Sequence, residues 1–291
     1  MVENNLQTLI DNAVENTVVK LTNDIVATEP TIVSKNITID LNGYKVSNTE
    51  DIWNESTGSW SLISVRNGGI LTLLDSSGAD TGTLQAKEND CFAVDVRDGG
   101  MLIIESGNYI GNISSVYVHS GIAYINGGYY EVQQIASNGN QYKETINCYD
   151  VNFRNGTAKV VISGGSFYNF DPTDTAEPTD CSQSYLSKNT KMVYDEETNS
   201  YVITKREFKI VATTSDKVES LGVKDGQLIF VQDKGKVAFD FNGDRIFYDN
   251  SSELDDIYSK ITALEEDKVD ADTVTSMIEE YSESAMTIVE F

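Results

Sequence analysis

One phrase recurs along the first two-thirds of this chain and limits what it can become. It reads "GGILTLLDSSG" from Gly68, "GGMLIIESGNY" from Gly99, "GIAYINGGYY" from Gly121 and "AKVVISGGSF" from Ala158. Set in register, the copies produce two apolar columns. The first is Ile37, Leu71, Leu102, Ala123 and Val160, and the second is Ile39, Leu73, Ile104, Ile125 and Ile162. Both columns step by the same intervals of 34, 31, 21 and 37 residues (37 to 71, 71 to 102, 102 to 123, 123 to 160). Members of the two columns lie two apart, so they share one face of a strand. Between them stand Thr38, Thr72, Ile103, Tyr124 and Val161, residues suited to a half-exposed outer face.

Five residues after the second column come Tyr109, Tyr130 and Phe167, each preceded two residues earlier by Gly107, Gly128 or Gly165. Glycine there allows the positive φ of a tight corner, and the pairs Gly68-Gly69 and Gly99-Gly100 are expected to serve another corner in the same way. A repeat with fixed anchors and a varying period is a winding chain with loops extruded from it, in which no single turn can bury its own face. The expected fold is therefore all-β: a right-handed parallel β-helix, or solenoid, over residues 1–205. At about 4.8 Å per turn, five or six turns make a rod roughly 25 Å long.

Open ends of such a rod need covers. Leu6, Leu9, Ile10, Ala13 and Val14 recur at helical spacing and predict an N-terminal capping helix, followed by the strand Val18–Leu21. At the far end, Met192–Tyr194 and Ser200–Ile203 flank the acidic turn Asp195–Asn199 and read as a hairpin. Between them, "NFDPTDTAEPTDCSQSY" reads as a surface loop over the last turn. Residues 206–250 read as a small β-meander of three strands joined at Asp225-Gly226, Lys234-Gly235 and Asn242-Gly243, which are hairpin dipeptides. In residues 251–291, Leu254, Ile257, Ile261 and Leu264 step by 3, 4 and 3, the seam of a short coiled coil. A second helix carries Val274, Met277, Ile278, Tyr281 and Ala285. Helices this short are marginal alone, so this segment is expected to hold an oligomer together, a homotrimer ahead of a dimer.

Charge and composition narrow the functions. A formal charge of −25 repels phosphate backbones, so no nucleic-acid partner is expected. No apolar run is long enough to insert in a membrane, and "MVENNLQTLIDNAVEN" lacks the pattern of a signal peptide. Cys91, Cys148 and Cys181 form neither a metal pattern nor a disulfide framework, and no cofactor or metal site is expected.

The phrases "ITIDLNGYKV", "GGILTLLDSSG", "INGGYYEV" and "INCYDVNFRNGTAKVVISGGSFYNFDP" resemble the right-handed β-helix repeats of pectate-lyase-like proteins, over about Val18 to Thr204, in the versions found in bacteriophage virion proteins and bacterial surface proteins. "LGVKDGQLIFVQDKGKVAFDFNGDRIFYDN" resembles a small module of phage tail, baseplate and fibre proteins, and "ITALEEDKVDADTVTSMIEEY" looks like helical pieces of phage fibres. The resemblance implies a structural virion protein (head or tail fibre, spike or decoration protein) made in a host bacterial cytoplasm. Its partners would be copies of itself, other virion proteins and host surface polysaccharide.

The same fold carries polysaccharide lyases and hydrolases, so a tailspike-like depolymerase is the second reading and a bacterial surface adhesin the third. A glycosidase needs two carboxyl groups at a set separation. Asp40, Asp75 and Glu105 cluster near one corner, but Leu74 falls where a stacked acid would be needed. No catalytic residue is therefore assigned. For glycan binding without turnover the candidates are Trp53 and Trp60 in an extruded loop, with Arg66 and Arg97 aligned 31 apart as a basic strip and His119 beside them. Asp95 and Asp98 align with Ser64 and Asn67 one turn below.

Overall fold

The computed structural model describes residues 5–52, 58–87, 91–134, 144–173, 184–187, 190–205, 209–224, 226–241 and 243–248. It is mostly β-structure, and the chain divides into two compact units. The first comprises Met1–Ser187 and Met192–Thr204, the second Lys188–Lys191 and Lys205–Phe291.

In the first unit the chain visits three sheets in turn. The first course is β1 (Val18–Lys20), β2 (Ile25–Ala27) and β3 (Thr31–Val33). It is followed by β4 (Asn36–Asp40), β5 (Lys45–Asn48) and β6 (Ser61–Val65), then β7 (Ile70–Leu74), β8 (Thr83–Gln85) and β9 (Phe92–Val96). Next come β10 (Gly100–Ile104), β11 (Asn108–Gly111) and β12 (Ser114–Val118), then β13 (Gly121–Ile125), β14 (Tyr129–Val132) and β15 (Ile146–Cys148). The winding ends with β16 (Ala158–Ile162) and β17 (Gly165–Tyr168). Each strand pairs in parallel with the strand three places along, so the first sheet runs β1-β4-β7-β10-β13-β16 and the third β3-β6-β9-β12-β15.

The register in the first sheet reproduces both apolar columns: Ile37, Leu71, Leu102, Ala123 and Val160 are neighbours, as are Ile39, Leu73, Ile104, Ile125 and Ile162. These ten side chains belong to one core cluster and are at most 5% exposed. A fully buried aliphatic of this kind contributes about 1.5–3 kcal/mol, and stacking spares each course a second core. In the second sheet the inward column includes Leu84, Tyr109, Tyr130 and Phe167. The three rings stack at centroid distances of 5.4 and 4.8 Å, and the two hydroxyls donate to Ser106 O and Gly127 O.

Glycines at the corners divide into two kinds. Gly107, Gly128 and Gly165 hold φ of 105°, 96° and 120°, as a turn into the second sheet requires. In the pairs before the first sheet, Gly68 and Gly99 have positive φ, but Gly69 and Gly100 are needed for space. A Cβ on Gly100 would lie 2.5 Å from Val65 O, one course below.

The N-terminal cover is α1 (Leu6–Asn12), capped by the Asn5 side chain, with Leu6 and Ile10 buried. Its Gln7 amide both donates to and accepts from the Ile32 backbone, occupying the edge of β3. Val14 corrects the expected apolar stripe: the helix stops at Asn12, and Val14 is 72% exposed. At the other end β18 (Thr190–Asp195) and β19 (Ser200–Lys205) form the expected hairpin, and β19 pairs antiparallel with β17, closing the second sheet. Leu186 bridges Ile162, which puts the exit of the long loop on the first sheet; residues 174–183 of that loop lie outside the described residues.

The second unit is a four-stranded sheet of β20 (Lys209–Thr213), β21 (Gln227–Val231), β22 (Lys236–Phe241) and β23 (Asp244–Tyr248). β21 to β23 are antiparallel neighbours, joined through Lys234-Gly235 and around Gly243. The expected meander needs one correction: Gly226 does not close a hairpin but leads into β21, whose other neighbour, β20, is parallel. The crossover contains a 3-10 turn at Val218–Ser220, which places Val218 on Ile229 and Ala238. Buried Asp240 receives both Nε and Nη2 of Arg245, whose remaining donors meet Val218 O, Leu221 O and Gly222 O. Residues 251–291, with the seam of Leu254, Ile257, Ile261 and Leu264, lie outside the described residues.

Candidate functional site

Two of the longest connections of the first unit lead into the third sheet, residues 49–60 into β6 and 133–145 into β15, and residues 86–91 lead into β9. Within that sheet Val65, Val96 and Val118 belong to the core cluster. The residues alternating with them therefore face outward. One outward row is Ile32, Ser64, Asp95, Tyr117 and Asn147, all in register. The next row continues past the strand ends as Arg66, Arg97, His119 and Tyr149, whose backbone N–H groups bond Val33 O, Val65 O, Val96 O and Val118 O.

Ser64 and Asp95 are fully buried although they face outward. A Cβ on Gly58 would lie 3.9 Å from Arg97 Nη1, so Gly58 lies beside this face. Arg66 is 8% exposed and its Nε donates to Ser64 Oγ at 2.6 Å. Arg97 Nε donates to Asp95 Oδ2 at 2.5 Å, and its guanidinium stands 5.8 Å from the Tyr117 ring centroid. Arg97 is thus charge-balanced by the residue two places before it, and Arg66 is packed against Ser64.

Aromatic rings extend the face. Tyr117 stacks on Phe92 at 4.7 Å, and His119 stacks on Tyr149 at 4.9 Å with 14° between the planes. Tyr149 is 40% exposed. Burial chiefly, opposed by Arg97 and assisted by Tyr149, pushes the Tyr117 hydroxyl up to about 12. Burial and then the Arg97 charge hold His119 below the usual imidazole value, so the ring is neutral at pH 7 despite Asp98 and Asp95.

Of the remaining sequence candidates, Trp60 stands at the entrance to β6. Trp60 is 37% exposed, and its carbonyl accepts from Phe92 N at 2.7 Å, which anchors the end of the connection to β9. Trp53 and Cys181 lie outside the described residues. Cys91 and Cys148 are buried free thiols, and burial pushes Cys148 up to about 12. Among the described residues no group of three or more His, Cys, Asp or Glu side chains could hold a metal, and no helix is long and apolar enough to cross a membrane.

The corner carboxylates are committed to turns. Asp40 accepts from Asn42 N, from Ser76 N and Oγ, and from Lys20 Nζ, while Asp75 accepts from Gly43 N, Ser77 N and Oγ, and Gly82 N. Burial pulls both carboxyls upward, but these donors outweigh it and hold both below the usual carboxylate value. Asp40 sits opposite Leu74 in the register, and the two acids stitch neighbouring courses together.

Sequence reading aligned Asp95 with Ser64 but did not pair it with Arg97, and it missed Tyr117 and Tyr149. A signal existed for Asp95: it lies two residues before Arg97, the spacing that puts both on one strand face. Tyr117 and Tyr149 gave none, because the connections into the third sheet differ in length from two residues before β12 to thirteen before β15 and hide its register. No protein-family model, curated protein or solved structure matches the chain.

Proposed function

We propose that the first unit closes as a right-handed parallel β-helix and that the chain is a structural component of a bacteriophage virion. It is a head or tail fibre, spike or decoration protein, a homotrimer held through residues 251–291, that meets other virion proteins and binds host surface glycans without turnover. The observation that carries this reading is the constant order of the three sheets over one continuous core. Such a body is stiff, because each course is fixed by ladders on both sides, and it suits presentation rather than motion. Placement on a virion rests on the resemblance of the β-helical phrases, of the module at 221–250 and of the helical segment. The commitment of Asp40 and Asp75 to turns favours binding over hydrolysis.

Gold-labelled antibody against the protein, viewed on intact virions by electron microscopy, should decorate one fixed position on each particle. Label found in lysates but never on particles overturns the placement. Release of reducing ends or unsaturated sugars from host capsular polysaccharide would replace binding by depolymerase activity.

A further inference from the structure

We propose that the outer face of the third sheet is a site for an uncharged, hydroxyl-rich pyranose oligosaccharide. Asp95 and Arg97 provide a paired acceptor and donor, and Tyr117, His119 and Tyr149 form the apolar wall. This deepens the glycan-binding part of the preceding proposal and rests on it for the class of partner.

The starting point is a carboxylate oxygen without a donor. Asp95 is fully buried, its Oδ2 is held by Arg97 Nε at 2.5 Å, and its Oδ1 accepts nothing. A buried carboxylate oxygen left unmatched is costly, more so than the buried hydroxyls of Ser59, Ser61, Ser114 and Thr145 that also lack a partner among the described residues, whereas the corner carboxylates are bonded. Both oxygens of Asp40 and of Asp75 are bonded, and on the second sheet Lys45, Gln85 and Gln133 form a chain while Tyr129 donates to Glu131. Beside Asp95, the terminal nitrogens of Arg97 donate to nothing among the described residues, and the side chain is 20% exposed. An unmatched acceptor next to partly exposed donors fits a group that both donates and accepts, which is a hydroxyl; Oδ1 is covered, so the hydroxyl meets the Arg97 donors and reaches Oδ1 through one water.

Charge decides which hydroxylated ligand fits. The Asp95 carboxylate already cancels the Arg97 charge, so a second carboxylate or a phosphate would meet Asp95 at close range, on a chain of formal charge −25. His119 adds no positive charge at neutral pH. The wall supplies what the ring carbons of a pyranose need: an apolar surface with polar tips. Tyr149 ends the row, two strand spacings or about 10 Å from Arg97, so the ligand spans more than one sugar ring.

The test is a printed array of neutral and carboxylate-bearing oligosaccharides, followed by titration calorimetry with the best binder at low and high salt. Binding should be confined to uncharged glycans and change less than about twofold with salt. Tyr149→Ala, on an exposed side chain, and Arg97→Met should each weaken it about tenfold or more, with melting temperatures recorded as a folding control. Asp95→Asn should leave Arg97 uncompensated and shift preference toward carboxylated glycans, with strong salt dependence. Binding only to acidic glycans by the unaltered protein, or neutral binding untouched by Arg97→Met and Tyr149→Ala, overturns the site while leaving glycan binding intact. Binding to nothing on the array overturns both, and the virion label reads placement separately.

Discussion

At the residue scale, two glycines with one sequence context have different reasons to exist. Gly68 takes φ of +72° with nothing within 4 Å of an added Cβ, so Gly68→Ala should cost about 1 kcal/mol of backbone strain. Gly100 has no positive φ, but its added Cβ would meet Val65 O at 2.5 Å, so Gly100→Ala should cost about 1–3 kcal/mol and exceed Gly68→Ala. Denaturant unfolding of both variants measures the order, and a reversed order would mean the courses are not this close. Ionisation gives a second expectation. Asp40 and Asp75 have folded-state values below their unfolded ones, so their stabilisation is present above about pH 4 and lost as pH falls below it. The melting temperature should fall along that acid limb, and Asp75→Asn should be less stable at neutral pH with a flatter limb. His119, held down first by burial and then by Arg97, should titrate below 6.5 by NMR, and Arg97→Met should raise its midpoint.

At the element scale, legibility followed the loops. The first sheet was readable because β7, β10 and β13 each lie between a glycine-bearing corner and a small-residue turn, which fix the register of Leu71, Leu102 and Ala123. The third sheet was not, because connections of unequal length precede its strands and its outward positions, such as Ser64 and Asp95, are buried. In the second unit, Asp225-Gly226 carried the hairpin signal, but the parallel pairing of β20 depends on the apolar contact of Val218 with Ile229 and Ala238, which no local dipeptide encodes. That unit also depends on one buried ion pair. Arg245→Ala leaves Asp240 buried without its bidentate partner and should cost about 3–5 kcal/mol, read as faster amide exchange along β21 and β22. Unchanged exchange there would show that the carbonyl contacts of Arg245 and its pair with Asp240 contribute little.

At the scale of the whole molecule, the account joins a stacked body to a face that presents unspent polar groups. The face exists only if residues far apart in sequence lie side by side: Asp95 beside Tyr117, Arg97 beside His119. If the winding were shifted by one residue in any course, the outward set would turn inward and both rows would be lost. The trimer expected of residues 251–291 is a separate matter, read by light scattering, and a monomer in solution would remove it without touching the winding.

Cross-course disulfides test the winding most directly. Thr72 and Ile103 are outward neighbours in adjacent courses of the first sheet, whereas Thr72 and Tyr124 are two courses apart. With the native cysteines replaced by alanine, Thr72→Cys with Ile103→Cys should oxidise to an intramolecular disulfide, because their Cα atoms lie about one strand spacing apart. Thr72→Cys with Tyr124→Cys should remain two thiols, as mass spectrometry reads. A disulfide in the second pair and free thiols in the first would contradict the stacking on which the proposed β-helix, its face and its proposed ligand depend.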